Sequence, residues 1–254
     1  MALNFPILTF HAVDDQASVI SFSPALFGRA MALLHDKGYE TMSLMELRDC
    51  FRRRIPPPAR SFAITFDDGY RSVYEKAFPI LQRYGMTATV FLATGDGKTK
   101  RLPSMEGRSM LSWNEIKQMH RSGIAFGGHT LTHRDLTRLR SGLLEIEVVG
   151  GKRIIEDTLG APVQTFAYPF GSYNDCCREL VSRHFACACS DKLGLLGTSS
   201  DLYSMERVDS YYLRSMTLFA AVPTRFFPFY IRARNLPRQL RRFVKRYTSS
   251  HFPA

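Results

Sequence analysis

The chain has 254 residues and a formal charge of +11, from 34 Lys+Arg against 23 Asp+Glu. Apolar residues at 45% and charged residues at 22% exclude a disordered chain, and no run of 18 apolar residues is present to cross a membrane as a helix. The charge is local: residues 201–254 hold 10 basic and 3 acidic side chains, none of them acidic beyond Asp209. The body is nearly balanced, so no nucleic-acid partner is expected.

In chain order the pattern alternates short apolar strands with amphipathic helices. Pro6–Val13 reads as a strand and Pro24–Gly38 as a helix ended by glycine, followed by a short strand over Tyr39–Met42. Ser43-Leu-Met-Glu46 is a capping box that opens a helix to about Arg53. Pro56-Pro57-Pro58 breaks the chain before a buried strand over Ser61–Phe66. A helix over Tyr70–Tyr84 closes at Gly85, and Thr87–Leu92 is a strand rich in β-branched and aromatic residues. Residues 94–111 read as a Gly- and Lys-rich loop. Ser112-Trp-Asn-Glu115 is a second capping box, whose helix runs to about Ser122. Ile124–Gly127 is a strand, and Gly142–Leu159 a helix weakened by Gly150-Gly151. Thr165–Ala167, Ala186–Cys189 and Glu206–Asp209 read as further strands. Such alternation predicts an α/β fold with a parallel sheet or barrel, whose chemistry sits at the C-terminal ends of the strands.

Five cysteines (Cys50, Cys176, Cys177, Cys187 and Cys189) form neither a disulfide framework nor a zinc-ribbon spacing, and are expected reduced and packed inside. The N-terminus runs straight into a strand without a charged region or small-residue cleavage site, so no signal peptide is expected. Together these features predict a cytoplasmic location.

Three strand ends carry polar chemistry. Thr65-Phe-Asp67-Asp68-Gly69-Tyr70 sets two carboxylates side by side after an apolar strand. A turn at Gly69 would bring both into one site, where a cation would compensate them; the alternative is a turn that caps the next helix. His129-Thr-Leu-Thr-His133 spaces two imidazoles one helical turn apart, suited to one divalent metal, or is a pair of unrelated loop histidines. Phe166-Ala-Tyr-Pro-Phe-Gly171 carries no ionisable group and reads as a turn able to present a backbone N–H. Together, one Asp and two His make a three-ligand site with an open position, and the second Asp is free to act as a base.

These three motifs, in this order and spacing, resemble the polysaccharide deacetylase family (carbohydrate esterase family 4), over roughly residues 5–210. The resemblance implies a single-domain distorted (β/α) barrel of about seven strands over residues 1–215. It also implies hydrolysis of acyl groups on sugars, with Asp67 as catalytic base and Asp68, His129 and His133 as metal ligands. Phe170 falls where the family stabilises the oxyanion through a backbone N–H, with Tyr168 and Pro169 lining the same turn. Zinc is the expected ion, with Co2+, Ni2+ or Fe2+ compatible with the same donors. Two departures matter. The family's arginine before the Tyr-Pro pair is Ala167 here, so Arg207 or Arg134 must orient the base, or nothing does. The family's late Leu-x-His acid is also missing. Leu8-Thr-Phe-His11 instead matches the permuted branch of poly-N-acetylglucosamine deacetylases, which makes His11 the acid. His35, His120 and His184 fall in helical stretches and read as ordinary packing or surface residues.

The expected activity is removal of an N-acetyl (or N-formyl) group from an amino sugar. An O-acetyl sugar esterase, an idle sugar-binding module and a membrane scaffold are the alternatives. Residues 216–254 form a basic, aromatic extension. Leu236, Leu240, Phe243, Val244 and Tyr247 recur at helical spacing among five basic residues, behind the aromatic lead-in Phe226, Phe227, Phe229 and Tyr230. Residues 223–254 thus read either as a helix packed on the barrel or as an element for anionic lipid. In the second case the enzyme works at the inner face of a membrane on a lipid-linked sugar. The oligomeric state is not readable from the sequence.

Overall fold

The computed structural model describes residues 4–95 and 104–236. The strands and helices are, in order, β1 (Ile7–Phe10), α1 (Pro24–Asp36), β2 (Glu40–Thr41), α2 (Leu44–Arg53), β3 (Ser61–Phe66), α3 (Phe78–Arg83) and β4 (Thr89–Leu92). Then come β5 (Ser104–Met105), β6 (Arg108–Ser109), α4 (Trp113–Arg121), β7 (Ala125–Gly128), α5 (Ser141–Glu145) and α6 (Gly151–Leu159). The remainder are β8 (Thr165–Ala167), α7 (Asp175–His184), β9 (Cys187–Leu193), β10 (Met205–Asp209) and α8 (Met216–Phe219).

Seven parallel strands close a ring in the order β1-β10-β9-β8-β7-β4-β3, with β3 pairing back onto β1, and β2 lies outside the ring beside β3. This is the distorted (β/α) barrel that the family resemblance implied, where the alternation alone left a sheet or a barrel open. Successive strand residues point to opposite faces. Outward, Leu8, Phe10, Ile64, Phe66, Val90 and Val208 join the helices in one apolar layer. Inward, Ile7, Ala63, Phe91, Ala167, Cys187, Cys189 and Met205 fill the barrel, closed from below by Leu44 and Leu47 of α2. The interior is narrow. A Cβ on Gly127 would lie 2.5 Å from Phe91 Cδ1, so the Phe91 ring occupies the space that any larger residue would need.

Both capping boxes form, at Ser43 with Glu46 and at Ser112 with Glu115. Ser112→Ala should lower unfolding stability by about 1 kcal/mol, read from a urea titration. The helix expected over Tyr70–Tyr84 carries a wide π turn at Val73–Ala77 just before Pro79. Proline has no N–H for the regular ladder, and the wide turn absorbs the defect. The loop expected over 94–111 contains a β5–β6 hairpin, turned at Glu106-Gly107 with both residues at positive φ. Residues 96–103 of that loop lie outside the described residues.

All five cysteines are free: Cys177, Cys187 and Cys189 are buried, Cys50 is half-buried and Cys176 is exposed. The expectation of interior packing therefore fails at Cys176. Burial pushes the Cys189 thiol up to about 12.

Of the C-terminal extension, α8 and a helix over residues 227–236 are described. Phe219, Val222, Phe227 and Ile231 are buried on the barrel, and the Tyr230 hydroxyl donates to the Tyr212 carbonyl at 2.6 Å. Most of the amphipathic stretch, residues 237–254, lies outside the described residues.

Candidate active site

The three motifs meet at the C-terminal ends of β3, β7 and β8. Asp67 continues the inward-facing row of β3, above Thr65. The turn begins one residue earlier than expected, because Asp68 itself is left-handed (φ 69°) ahead of Gly69 (φ 81°). That twist sends the two carboxylates to different partners within one site.

Asp67 is buried and faces Arg207 of β10. The guanidinium donates to both carboxylate oxygens at 2.7 Å, to Thr65 Oγ1 at 3.2 Å and, through Nε, to the Ser190 carbonyl at 2.9 Å. Burial alone would raise the Asp67 pKa, but the charge and hydrogen bonds of Arg207 outweigh it and hold the carboxyl below its usual range. Of the two candidates for the missing arginine at Ala167, the barrel therefore supplies Arg207, while Arg134 is exposed. Both Ala167 and Arg207 point into the barrel, so one inward cation has come from a different strand. His11, at the end of β1, brings Nε2 to 3.9 Å from Asp67 Oδ2.

Asp68 Oδ1 lies 3.3 Å from His129 Nε2 and 3.1 Å from His133 Nε2. The candidate ligand atoms of these three residues all fall within 4.8 Å of one another. His129 Nδ1 is 2.7 Å from the Ala167 carbonyl, which can only accept, so Nδ1 carries a proton. Nε2 faces Asp68 Oδ1, where it can donate a hydrogen bond or give its lone pair to a metal ion held between them. A carboxylate and two imidazoles, one of them oriented from behind by a carbonyl, fit a first-row divalent ion. Burial raises the Asp68 pKa, while hydrogen bonds from both histidines lower it further, so the group stays ionised as a ligand must.

The two histidines do not sit on a helix, as the spacing suggested. Residues 129–133 form a loop in which Thr130 (φ 71°) and His133 (φ 56°) are left-handed. Buried Glu147 holds this loop: Oε2 accepts from the Leu131 and Thr132 amides at 3.0 and 2.9 Å, and Oε1 from the Thr132 hydroxyl at 2.5 Å. Glu147 was not among the residues expected at the site. Its signal was a charged residue on the core-facing stripe Leu144, Glu147, Val148, Gly151, Ile155. The Gly150-Gly151 pair, read as a weakness, lets this helix touch the loop. A Cβ on Gly151 would be 3.0 Å from the Thr130 carbonyl carbon. Four of the six positive-φ non-glycine residues described (Asp68, Thr130, His133 and Phe170) belong to the site or its loops.

Phe170 (φ 56°) is 63% exposed, with its ring edge-on to His133 at 4.7 Å. Tyr168 and Pro169 are buried instead. Tyr168 lies in the helix-facing layer and its hydroxyl donates to the Tyr203 carbonyl at 3.1 Å, so its side chain does not reach the mouth. Gly171 (φ 62°) has no room for a side chain, since a Cβ would sit 2.3 Å from Asp191 Cβ. Gly171→Ala should displace the Phe170 turn and lower stability by about 1–3 kcal/mol, measured by thermal unfolding. Thr9, His11, Asp67, Phe170, Arg207 and Tyr211 are among the walls of one cavity of 470 Å³.

Residues 54–185, just over half of the chain, match the polysaccharide deacetylase family. The chain belongs to that family. Among its relatives is YxkH of Bacillus subtilis (strain 168), which bears the same family name; it is 30% identical over 172 residues, 68% of this chain and 58% of YxkH. The poly-β-1,6-N-acetyl-D-glucosamine N-deacetylase of Staphylococcus aureus (strain MRSA252) is 30% identical over 134 residues, 49% of this chain and 45% of that enzyme. The chain therefore spans less than two thirds of the curated relatives it matches. The Streptococcus pyogenes deacetylase PplD, solved with acetate, superimposes with a TM-score of 0.75 at 25% identity, over 82% of this chain and 93% of PplD. The family match begins after β1. His11 thus lies outside the matched residues and is brought to the site by the closure of β1 onto β3.

Proposed function

We propose that the chain is a metal-dependent hydrolase that removes the N-acetyl group from an amino sugar within a glycan. One observation carries this reading: an arginine-held carboxylate, Asp67, adjoins an Asp-His-His ligand set, with His11 across the same mouth. Family membership and the N-deacetylase relative support amide rather than other chemistry.

Asp68, His129 and His133 would hold the ion, with zinc the default and cobalt, nickel or iron compatible. A divalent ion there would polarise the acyl carbonyl and make water acidic enough to attack near neutral pH. Asp67, ionised and fixed by Arg207, takes the proton from the attacking water. The Phe170 N–H would donate to the oxyanion as the carbonyl becomes tetrahedral, a contribution of about 3–4 kcal/mol in comparable sites. His11 gives a proton to the departing nitrogen. An amide anion is too poor a leaving group without one, whereas a sugar alkoxide is less demanding, so an acid facing the base favours the amide over the ester.

The test is acetate release from N-acetylglucosamine oligomers and from O-acetylated sugars, with and without added divalent metal. Metal-dependent release from the N-acetyl substrates alone is expected. Release from the esters alone would replace the amide reading with an esterase, and bound metal without release from any substrate would leave a binding module.

A further inference from the structure

A larger cavity, of 770 Å³, lies at the opposite end of the barrel from the mouth. Pro6 and Ser61 mark it at the N-terminal ends of β1 and β3, whereas His11 and Asp67 come after their C-terminal ends. Two segments distant in sequence form its walls. One supplies Phe51, Arg54, Ile55 and the Pro56–Pro58 run, and the other Val222, Thr224, Phe227 and Pro228.

The two segments share an unusual composition. Residues 51–60 and 221–236 contain seven arginines and no acidic residue. Arg52, Arg53, Arg54, Arg60, Arg225 and Arg232 are exposed. Among the carboxylates around this end, Asp49 is held by Arg48 at 2.6 Å and Glu206 by Ser200 at 3.0 Å, while Asp36 and Glu40 stand exposed near Arg60. Large apolar side chains project singly among these cations: Ile55 is 56% exposed, Phe226 62% and Phe229 65%. The described chain then runs into residues 237–254, which add five basic residues and no acid.

We propose that this end of the barrel docks on an anionic phospholipid surface, with arginines at the phosphates and Phe226, Phe229 and Ile55 entering the headgroup region. Cations alternating with isolated aromatic and aliphatic side chains match that layered chemistry. Docking by this end sets the direction of the catalytic mouth. β3 spans six residues, so the mouth opens about 20 Å away at the far end of the barrel, facing off the bilayer. The sugar presented to Asp67 is then part of a strand standing away from the membrane, and not the headgroup of the docked lipid as the sequence alone suggested. The docking is independent of the catalytic reading and is measured without turnover.

The experiment is co-sedimentation of the full chain with phosphatidylcholine vesicles, with and without phosphatidylglycerol. The variants are Arg52→Glu/Arg53→Glu/Arg54→Glu and Phe226→Ser/Phe229→Ser, and thermal unfolding checks that each is folded. The wild type should sediment only with the anionic vesicles, and less so at high salt. Each basic residue near the surface is worth about fivefold in affinity, so the charge reversal should weaken binding more than tenfold. The phenylalanine variant should bind more weakly at unchanged charge. No binding to anionic vesicles would overturn the proposal. So would wild-type binding by both variants, including the case where only removal of residues 237–254 abolishes it.

Discussion

Asp67→Asn should abolish acetate release while leaving the bound metal in place, whereas His129→Ala should lose both. The two residues are near neighbours in the mouth, yet their partners differ. Asp67 is gripped by Arg207 through both oxygens, and Asp68 faces the two imidazoles. Replacing Asp67 by its amide removes the base and touches no ligand, and loss of a positioned base costs about 10²–10⁴-fold in rate. Removing the His129 imidazole takes away one of three ligands, and metal content should fall with activity. The Asn variant also strands Arg207, buried against a neutral amide, and breaking one side of a buried pair costs about 3–5 kcal/mol. Turnover must therefore be normalised to folded protein, and Asp67→Asn/Arg207→Met supplies a second form without the stranded charge. Retained turnover in either form, with metal present, would remove Asp67 from the role of base.

The architecture was legible because short apolar strands alternate with amphipathic helices and the helices announce their ends. β8 was read to the residue, and both capping boxes formed where their side chains demanded. The candidate ligand set was legible only in combination, since each motif alone also describes an ordinary turn. What stayed hidden depends on packing between elements far apart in sequence. The sequence offered Arg207 and Arg134 alike in place of the arginine missing at Ala167; ring closure, which sets β10 beside β1, is what turns Arg207 into the barrel. Glu147 looked like one more helix charge until the loop it anchors was in place. The Gly150-Gly151 pair reads as a helix defect in one dimension and as a contact surface in three. Tyr168 shows the opposite error. It sits inside the motif, but strand alternation turns it to the outer layer while Ala167 beside it faces inward.

Arg207→Met should damage both stability and turnover, although it removes neither the candidate base nor a candidate ligand. It leaves the Asp67 carboxylate buried without its cation, so stability should drop by about 3–5 kcal/mol and turnover should fall with the loss of base orientation. The pH dependence has a definite sign. In the native chain Arg207 holds the Asp67 pKa down, so this pair contributes stability above the unfolded carboxyl value of about 3.9, lost only as pH falls through the lower folded value. Without Arg207, burial raises the Asp67 pKa against only the smaller opposing pull of His129 and His11, so acid unfolding should begin at a higher pH. Arg207→Lys keeps the charge but not the two-pronged contact, and should fall between the two in rate. A swap, Ala167→Arg with Arg207→Met, asks whether the barrel cares which strand supplies the cation. Both positions face inward beside Phe91, so partial recovery of turnover over Arg207→Met is expected if Asp67 needs only an inward guanidinium. Recovery of acid stability without turnover would restrict Arg207 to a structural role. Wild-type stability and turnover in Arg207→Met would show that the ion pair does neither job.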